Sequence, residues 1–276
     1  MVRSVKLLAT SDLHVSYQDN RHVVETMRPS SDDDWLIIAG DIGERFTDIE
    51  WTLTTLQKHF AKLVWSPGNH ELWTTKDDAV QSRGEVRYKQ LVELCRGLGV
   101  VTPEDPYEVF DGEGGPVTVC PLFIGYDYTW RPKGTHDTTS ALKAAHDAGV
   151  VCTDEYFLHH EPYASRAEWC AARVEETAQR LSAVEGPTVL INHYPLVRDP
   201  TFVLRYPEFA LWCGTDATAD WHLRFNCREM VYGHLHIPRT TWYDGVRFDE
   251  VSLGYPREWQ PRGDRQVLLH DVLRES

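Results

Sequence analysis

Nowhere does the sequence hold the run of ~20 consecutive apolar residues that a membrane-spanning helix needs, which excludes an integral helical membrane protein. Met1-Val2-Arg3-Ser4 leads straight into a short apolar stretch without a signal-peptide pattern, so a cytoplasmic location is expected. Cysteine is sparse: Cys95, Cys120, Cys152, Cys170, Cys213 and Cys227 lie far apart, with no C-x-x-C pair. That scatter argues against a disulfide framework and against a thiolate metal site. Basic residues are outnumbered, 28 Lys and Arg against 42 Asp and Glu, for a formal net charge of −14. A general nucleic-acid binder would carry a basic face, so no nucleic-acid partner is expected. The negative charge does not exclude phosphate substrates, because bound cations supply positive charge that a residue count omits. Internal repeats and low-complexity tracts are also missing.

With 276 residues and 42% of them hydrophobic, the chain can bury a substantial core as one α/β domain. The reading is a single domain over 1–276, with an irregular excursion at about 126–165 and an aromatic and arginine-rich segment at about 198–226. Val5-Lys6-Leu7-Leu8-Ala9-Thr10 reads as a strand that ends at Ser11-Asp12. After a helix at about 20–27 and a break at Pro29, Trp35-Leu36-Ile37-Ile38-Ala39 is a second strand ending at Gly40-Asp41. A helical face of Leu53, Leu56 and Phe60 precedes Leu63-Val64-Trp65, which runs into Pro67-Gly68-Asn69-His70. Three strand-then-polar-loop units in about 70 residues predict alternating β and α with a parallel sheet. In such sheets ligands gather beyond the carboxyl ends of the strands.

Farther on, 85–98 reads as an amphipathic helix with Val86, Leu91, Leu94, Cys95 and Leu98 as its apolar stripe. Residues 117–123 read as a strand, 167–184 as a long helix ending at Gly186-Pro187, and Thr188-Val189-Leu190-Ile191 as a strand presenting Asn192 and His193. The segments 240–243, 246–253 and 266–270, turning at Asp244-Gly245, are expected to be antiparallel strands that close the sheet.

The polar residues at these strand ends form a chemical set. Asp12, His14, Asp41, Asn69, His70, His193, His234 and His236 all lie within a few positions of the end of an apolar run. Any one of these histidines is compatible with a structural role. Together, carboxylate, amide carbonyl and imidazole suit Mn²⁺, Fe or Zn²⁺, and the donors outnumber what one ion can use. The expectation is a two-metal hydrolytic centre acting on a phosphate ester, with the ions ~3.5–4 Å apart.

Asp12-Leu13-His14, Gly40-Asp41, Gly68-Asn69-His70-Glu71, His193 and Gly233-His234-Leu235-His236 resemble the calcineurin-like metallophosphoesterases in order and spacing. The resemblance implies a double-sheet β-sandwich flanked by helices, four layers αββα. It implies that Asp12, His14, Asp41 and His236 hold one metal and Asp41, Asn69, His193 and His234 the other, with Asp41 and a water nucleophile shared. It also casts His70 as the group facing the substrate, with Glu71 orienting it. Where many members of the family read Gly-Asp-x-x-Asp, this chain has Glu44, expected to stand behind the metal ligands.

Between Arg205 and Trp259 there are eleven aromatics in 55 residues, enough to wall a cleft beside the phosphate. Longer strings, among them Gly68-Asn69-His70-Glu71-Leu72-Trp73-Thr74-Thr75, Thr218-Ala219-Asp220-Trp221-His222 and His236-Ile237-Pro238-Arg239, look like the actinobacterial phosphopantetheinyl hydrolases. That likeness implies hydrolysis of the phosphodiester between 4′-phosphopantetheine and a carrier-protein serine, with holo-acyl carrier protein as partner. Carrier proteins are typically acidic, so a local basic rim is required; Arg198, Arg205, Arg239 and Arg257 are the candidates. A phosphoesterase for a nucleotide or coenzyme, and a non-catalytic scaffold of the same fold, are the competing readings.

Overall fold

Short strands buried on both faces set the layers. The computed structural model describes residues 5–274; Met1-Val2-Arg3-Ser4 and 275–276 lie outside the described residues. In chain order the strands are β1 (Leu7–Thr10), β2 (Trp35–Ile38), β3 (Lys62–Trp65), β4 (Glu108–Phe110), β5 (Val117–Pro121), β6 (Thr188–Ile191), β7 (Cys227–Tyr232), β8 (Arg239–Tyr243), β9 (Val246–Glu250) and β10 (His270–Val272). The helices are α1 (Gln18–Thr26), α2 (Phe46–Leu56), α3 (Asn69–Leu72), α4 (Gly84–Gly97), α5 (Thr138–Asp147), α6 (Asp154–Phe157), α7 (Arg166–Leu181), α8 (Trp221–Arg224) and α9 (Pro256–Trp259). One sheet runs β10-β1-β2-β3 and the other β4-β5-β6-β7-β9-β8. Strands β1 to β3 are mutually parallel, as are β5, β6, β7 and β9; β4, β8 and β10 pair antiparallel at the edges.

Side chains one residue apart go to different cores, as the two-residue period of a strand requires. Leu7, Ala9, Ile37, Ala39 and Val64 of the first sheet meet Val117, Val119, Val189, Ile191 and Val231 of the second in a core between the sheets. Leu8, Leu36, Ile38 and Leu63 turn the other way, onto Val23 and Val24 of α1, Ile49 and Leu53 of α2 and Leu91 of α4. Cys120, Leu190 and Met230 do the same on the far side of the second sheet, against Cys170 and Leu181 of α7. Helix, sheet, sheet, helix is therefore the layer order, the double-sheet sandwich that the resemblance implies. Each fully buried Leu, Ile or Val contributes ~1.5–3 kcal/mol, so three such cores hold the strand ends in place.

Four expectations need correction. Val86 is exposed on α4; the buried face there is Arg87, Tyr88, Leu91, Val92 and Cys95. The segment 126–165 is not an irregular surface excursion. It contains α5, capped by Asp137 accepting from the Ser140 N–H at 2.7 Å, and α6, and it buries Tyr126, Tyr128, Trp130 and Cys152. The signal was weak because α5 buries only Ala141 and Ala145, too little to mark an apolar stripe. The strands 240–243 and 246–253 do form an antiparallel hairpin, but β9 also runs parallel to β7. The third C-terminal strand begins at His270 and joins β1 in the other sheet rather than closing the same one. Among the described residues no helix is long and apolar enough to cross a membrane.

Candidate metal centre

The donors emerge at the carboxyl ends of five parallel strands. Asp12 and His14 follow β1, Asp41 follows β2, Asn69 follows β3, His193 follows β6, and His234 and His236 follow β7. Their backbone is unusual. Among the described residues nine non-glycine positions have positive φ, and five of these are Asp12 (53°), His14 (40°), Asp41 (56°), His234 (69°) and His236 (55°). Left-handed backbone costs an L-residue roughly 1–2 kcal/mol, so this concentration needs strong surroundings to persist and marks a functional locus. Those surroundings include the Asp12 N–H donating to the Gly40 carbonyl at 2.9 Å and the His14 N–H donating to the Asp41 carbonyl at 3.0 Å. Close approach also dictates glycine: a Cβ on Gly68 would lie 2.1 Å from Asp41 Oδ1, and one on Gly233 would lie 2.2 Å from Asp12 Oδ2.

Hydrogen bonds on the outer side of each donor fix what faces inward. His193 Nδ1 lies 2.8 Å from the Ala39 carbonyl, so that nitrogen carries hydrogen and Nε2 points at Asn69 Oδ1 (3.2 Å) and Asp41 Oδ2 (3.3 Å). His236 repeats this design, with Nδ1 2.7 Å from Glu258 Oε2 and Nε2 3.0 Å from Asp12 Oδ1 and 3.2 Å from His14 Nε2. Asn69 donates from Nδ2 to Asp154 Oδ1 at 2.9 Å, which turns its carbonyl oxygen toward the cluster. Lone pairs thus converge on lone pairs, an arrangement that repels itself unless positive charge sits among them.

The titration behaviour says the same. Burial opposes charging His193, but Asp41 beside it lifts it to about 10. Burial likewise opposes charging His236, yet Asp12 and Glu258 hold it at about 10. By contrast burial, with His193 nearby, pushes His234 down to about 3, and burial, with His70 nearby, holds His14 well below the ordinary imidazole range. Neutral imidazoles are the ligating form, so His14 and His234 are ready to ligate, whereas His193 and His236 would exchange a proton for a cation. In each of the groups Asp12, His14, His236; His14, Asp41, His70; and Asp41, His193, His234, one donor atom from every residue lies within 4.8 Å of those of the others. His234 Nε2 is buried and without a hydrogen-bond partner, an orphaned state that coordination would relieve, while His14 faces the cluster through Nε2, 3.2 Å from His236 Nε2 and 3.9 Å from Asp41 Oδ2. The residues fit two borderline cations.

For the carboxylates behind His70 the structure corrects the sequence reading. Glu71, expected to orient His70, is fully buried and instead accepts the backbone N–H groups of Asp41 (3.0 Å), Ile42 (2.9 Å) and Gly68 (3.0 Å). It ties the loop after β2 to the loop after β3. Glu44 is the partner of His70, Oε1 to Nδ1 at 2.8 Å. That leaves His70 Nε2 3.8 Å from Asp41 Oδ2, with the ring stacked 3.8 Å from Trp73. Buried Arg87 braces both loops by donating to the Glu44 and Glu71 carbonyls at 2.6 and 2.7 Å.

A cleft of about 610 Å³ opens over these residues, lined by Asp41, Asn69, His70, His234 and His236 at its floor and by 149–154, Leu204, Tyr206, Phe209, Ile237 and Tyr255 along its walls. Arg205 and Arg257 line it as well. The other two candidate arginines do not. Arg198 donates to the Arg131 carbonyl at 2.8 Å, and Arg239 donates to the Pro200 carbonyl at 2.9 Å and borders a neighbouring cavity behind His236.

Residues 5–238 match the family described as calcineurin-like phosphoesterase. The chain belongs to the calcineurin-like phosphoesterase family. It is 54% identical over 268 residues to the acyl-carrier-protein phosphodiesterase PptH of Mycobacterium tuberculosis, an alignment covering 95% of this chain and 83% of that protein. The crystal structure of phosphopantetheinyl hydrolase PptH from Mycobacterium tuberculosis superposes with a TM-score of 0.96 at 52% identity, covering 99% of this chain and 97% of that one. TT1561 of Thermus thermophilus, at 12% identity and a TM-score of 0.51 over 90% of this chain and 89% of that one, shares the fold.

Several residues of this phosphoesterase site escaped the sequence reading. Ser11 and Ser252 donate to Asp12 Oδ2 at 2.6 and 2.8 Å. Tyr255 stacks on His14 with ring centroids 4.5 Å apart. Glu258 and Asp154 reach the centre from 22 and 85 residues away from the side chains they hold, His236 and Asn69. Ser11 was adjacent to a motif and could have been suspected; the other four carry no spacing signal.

Proposed function

We propose that this phosphoesterase hydrolyses the phosphodiester joining 4′-phosphopantetheine to the serine of holo-acyl carrier protein, yielding apo-carrier. The observation that carries the chemistry is the set of adjoining donor clusters, with Asp41 grouped both with His193 and His234 and with His14 and His70, beside a His70 held by Glu44. The substrate assignment follows the 54% identical relative named acyl-carrier-protein phosphodiesterase. Asp12, His14, Asp41 and His236 would hold one ion and Asp41, Asn69, His193 and His234 the other, Mn or Fe by donor chemistry with Zn also compatible. Bound there, the ions supply a nucleophile from water and positive charge against the phosphoryl oxygens.

The chain's own groups do the rest. Burial disfavours a charged His70, and Asp41 and then Glu44 raise its pKa; with Asp41 engaged by cations, Glu44, 2.8 Å from Nδ1, is the group left to favour the protonated ring. His70 holds that proton for the departing serine oxygen, and Glu44 fixes the ring that delivers it. Asp154 keeps the Asn69 carbonyl turned inward, and Glu258 does the equivalent service for His236. A cytoplasmic setting belongs to the same reading, consistent with six buried free cysteines.

The test is intact-mass analysis of holo-carrier incubated with the protein and Mn²⁺. Loss of the prosthetic arm is the expected result. An unchanged carrier, with turnover of cyclic nucleotides or coenzyme A instead, would overturn the assignment in favour of a small-molecule phosphoesterase.

A further inference from the structure

Exposed apolar side chains cluster at one place on this molecule. Of eleven large hydrophobic residues exposed among the described residues, Val151 (54%), Tyr206 (53%), Phe202 (71%) and Val203 (49%) lie in the two segments that rim the cleft. Val151 and Tyr206 line the cleft itself, and Phe202 and Val203 directly precede the lining residue Leu204. Arg205 and Arg257 join this rim, and neither guanidinium makes a hydrogen bond or ion pair among the described residues; each only overlies a tyrosine, Tyr206 at 5.5 Å and Tyr255 at 5.4 Å. Glu258, in charge contact with Arg257, is already engaged by His236 and by the Tyr255 N–H at 2.9 Å, and Asp199 and Glu208 are the acids near Arg205 in sequence. In a chain of net charge −14, two guanidiniums free of hydrogen bonds beside bare apolar surface set this rim apart from the rest of the molecule.

Resting on the proposed carrier activity, we infer that residues 202–206, together with Val151 and Arg257 of the same cleft, are the docking surface for the carrier protein. The bond to be cut lies between phosphorus and the serine oxygen. Only the serine Oγ and Cβ separate that phosphorus from the carrier's main chain, so the body of the carrier, not merely its flexible arm, must seat on the rim. Arg205 and Arg257 meet acidic side chains flanking the serine, and Phe202, Val203 and Tyr206 cover the apolar surface between them. The pantetheine arm runs away from the serine along the apolar wall of Val150, Phe209, Leu235 and Ile237.

The experiment compares steady-state hydrolysis of an acidic holo-carrier with that of bis(4-nitrophenyl) phosphate, a diester too small to touch the rim. For the double variant Phe202→Ser, Val203→Ser, kcat/KM on holo-carrier should fall about tenfold or more while the small diester is turned over as before. For Arg205→Glu, Arg257→Glu, KM for holo-carrier should rise roughly 10- to 100-fold at low salt, and its dependence on ionic strength should flatten. Wild-type protein that processes holo-carrier, with both variants behaving alike to it, overturns the docking surface alone. Wild-type protein inert on holo-carrier but active on the small diester overturns the carrier reading and this surface with it.

Discussion

At the floor of the cleft Asp12, His14, Asp41, His234 and His236 hold left-handed backbone and bury their donor atoms, whereas at its rim Val151, Phe202, Val203 and Tyr206 leave roughly half or more of their surface in solvent. Strain is tolerated at the floor because strand ends from two sheets, three apolar cores and a web of backbone hydrogen bonds over-determine each position. Nothing comparable constrains the rim. The difference teaches that substitutions at the floor should alter chemistry and metal binding, whereas substitutions at the rim should alter which substrate is accepted while leaving the fold untouched.

The strongest test of that contrast is Asp41→Asn, which should reduce phosphodiester hydrolysis to background in a colorimetric assay while the circular dichroism spectrum stays native. Gly68→Ala comes next. Its added Cβ would meet Asp41 Oδ1 at 2.1 Å, so activity should collapse and thermal denaturation should show a loss of ~1–3 kcal/mol from overpacking. Separating the two glutamates sharpens the comparison within the floor itself. Glu44→Gln should lower kcat by ~10–100-fold with metal content retained, because only the support of His70 is weakened. Glu71→Gln should instead lower the Tm, since a carboxylate accepting three backbone N–H groups is replaced by a side chain with one acceptor oxygen, at a cost of ~1–3 kcal/mol. Equal effects of the two on kcat would contradict the division of labour. Chelation of the wild-type protein should lower its Tm by mass action, because the crowded donors lose the charge that binds only the folded state. At the small end, Phe202→Ser alone should leave the Tm unchanged in a thermal melt, as a side chain 71% exposed contributes little to packing.

The same contrast explains what could be read in advance. Floor residues are set by local rules: a short apolar strand must end, and Asp12, Asp41, Asn69, His193 and His234 each stand within four positions of such an end. The layer order followed from the resemblance that these motifs carry, and β1, β2, β3 and β6 were legible as apolar runs. Supporting residues were not, because Glu258 and Asp154 act across the fold and have neither spacing nor pattern to mark them. The exchange of roles between Glu44 and Glu71 has a similar origin. In Gly68-Asn69-His70-Glu71 the carboxylate adjacent in sequence to His70 leaves about 100° round a one-turn helix from it, while Glu44, 26 residues away, returns to the ring. Among the arginines, the acidic carrier that the resemblance implies called for a basic rim, but the sequence could not separate Arg205 and Arg257, which line the cleft, from Arg198 and Arg239, whose guanidiniums hydrogen-bond main-chain carbonyls. The helix at 138–147 was hidden because its buried face is two alanines.

Metal counting tests the shared-aspartate centre most directly. Elemental analysis of wild-type protein and Asp41→Asn, loaded with Mn²⁺ and desalted side by side, should find about two ions per wild-type chain and neither retained in the variant, since each cluster then loses a charged ligand. A wild-type chain that binds one ion, or a variant that keeps one firmly, would contradict the sharing of Asp41 between two sites.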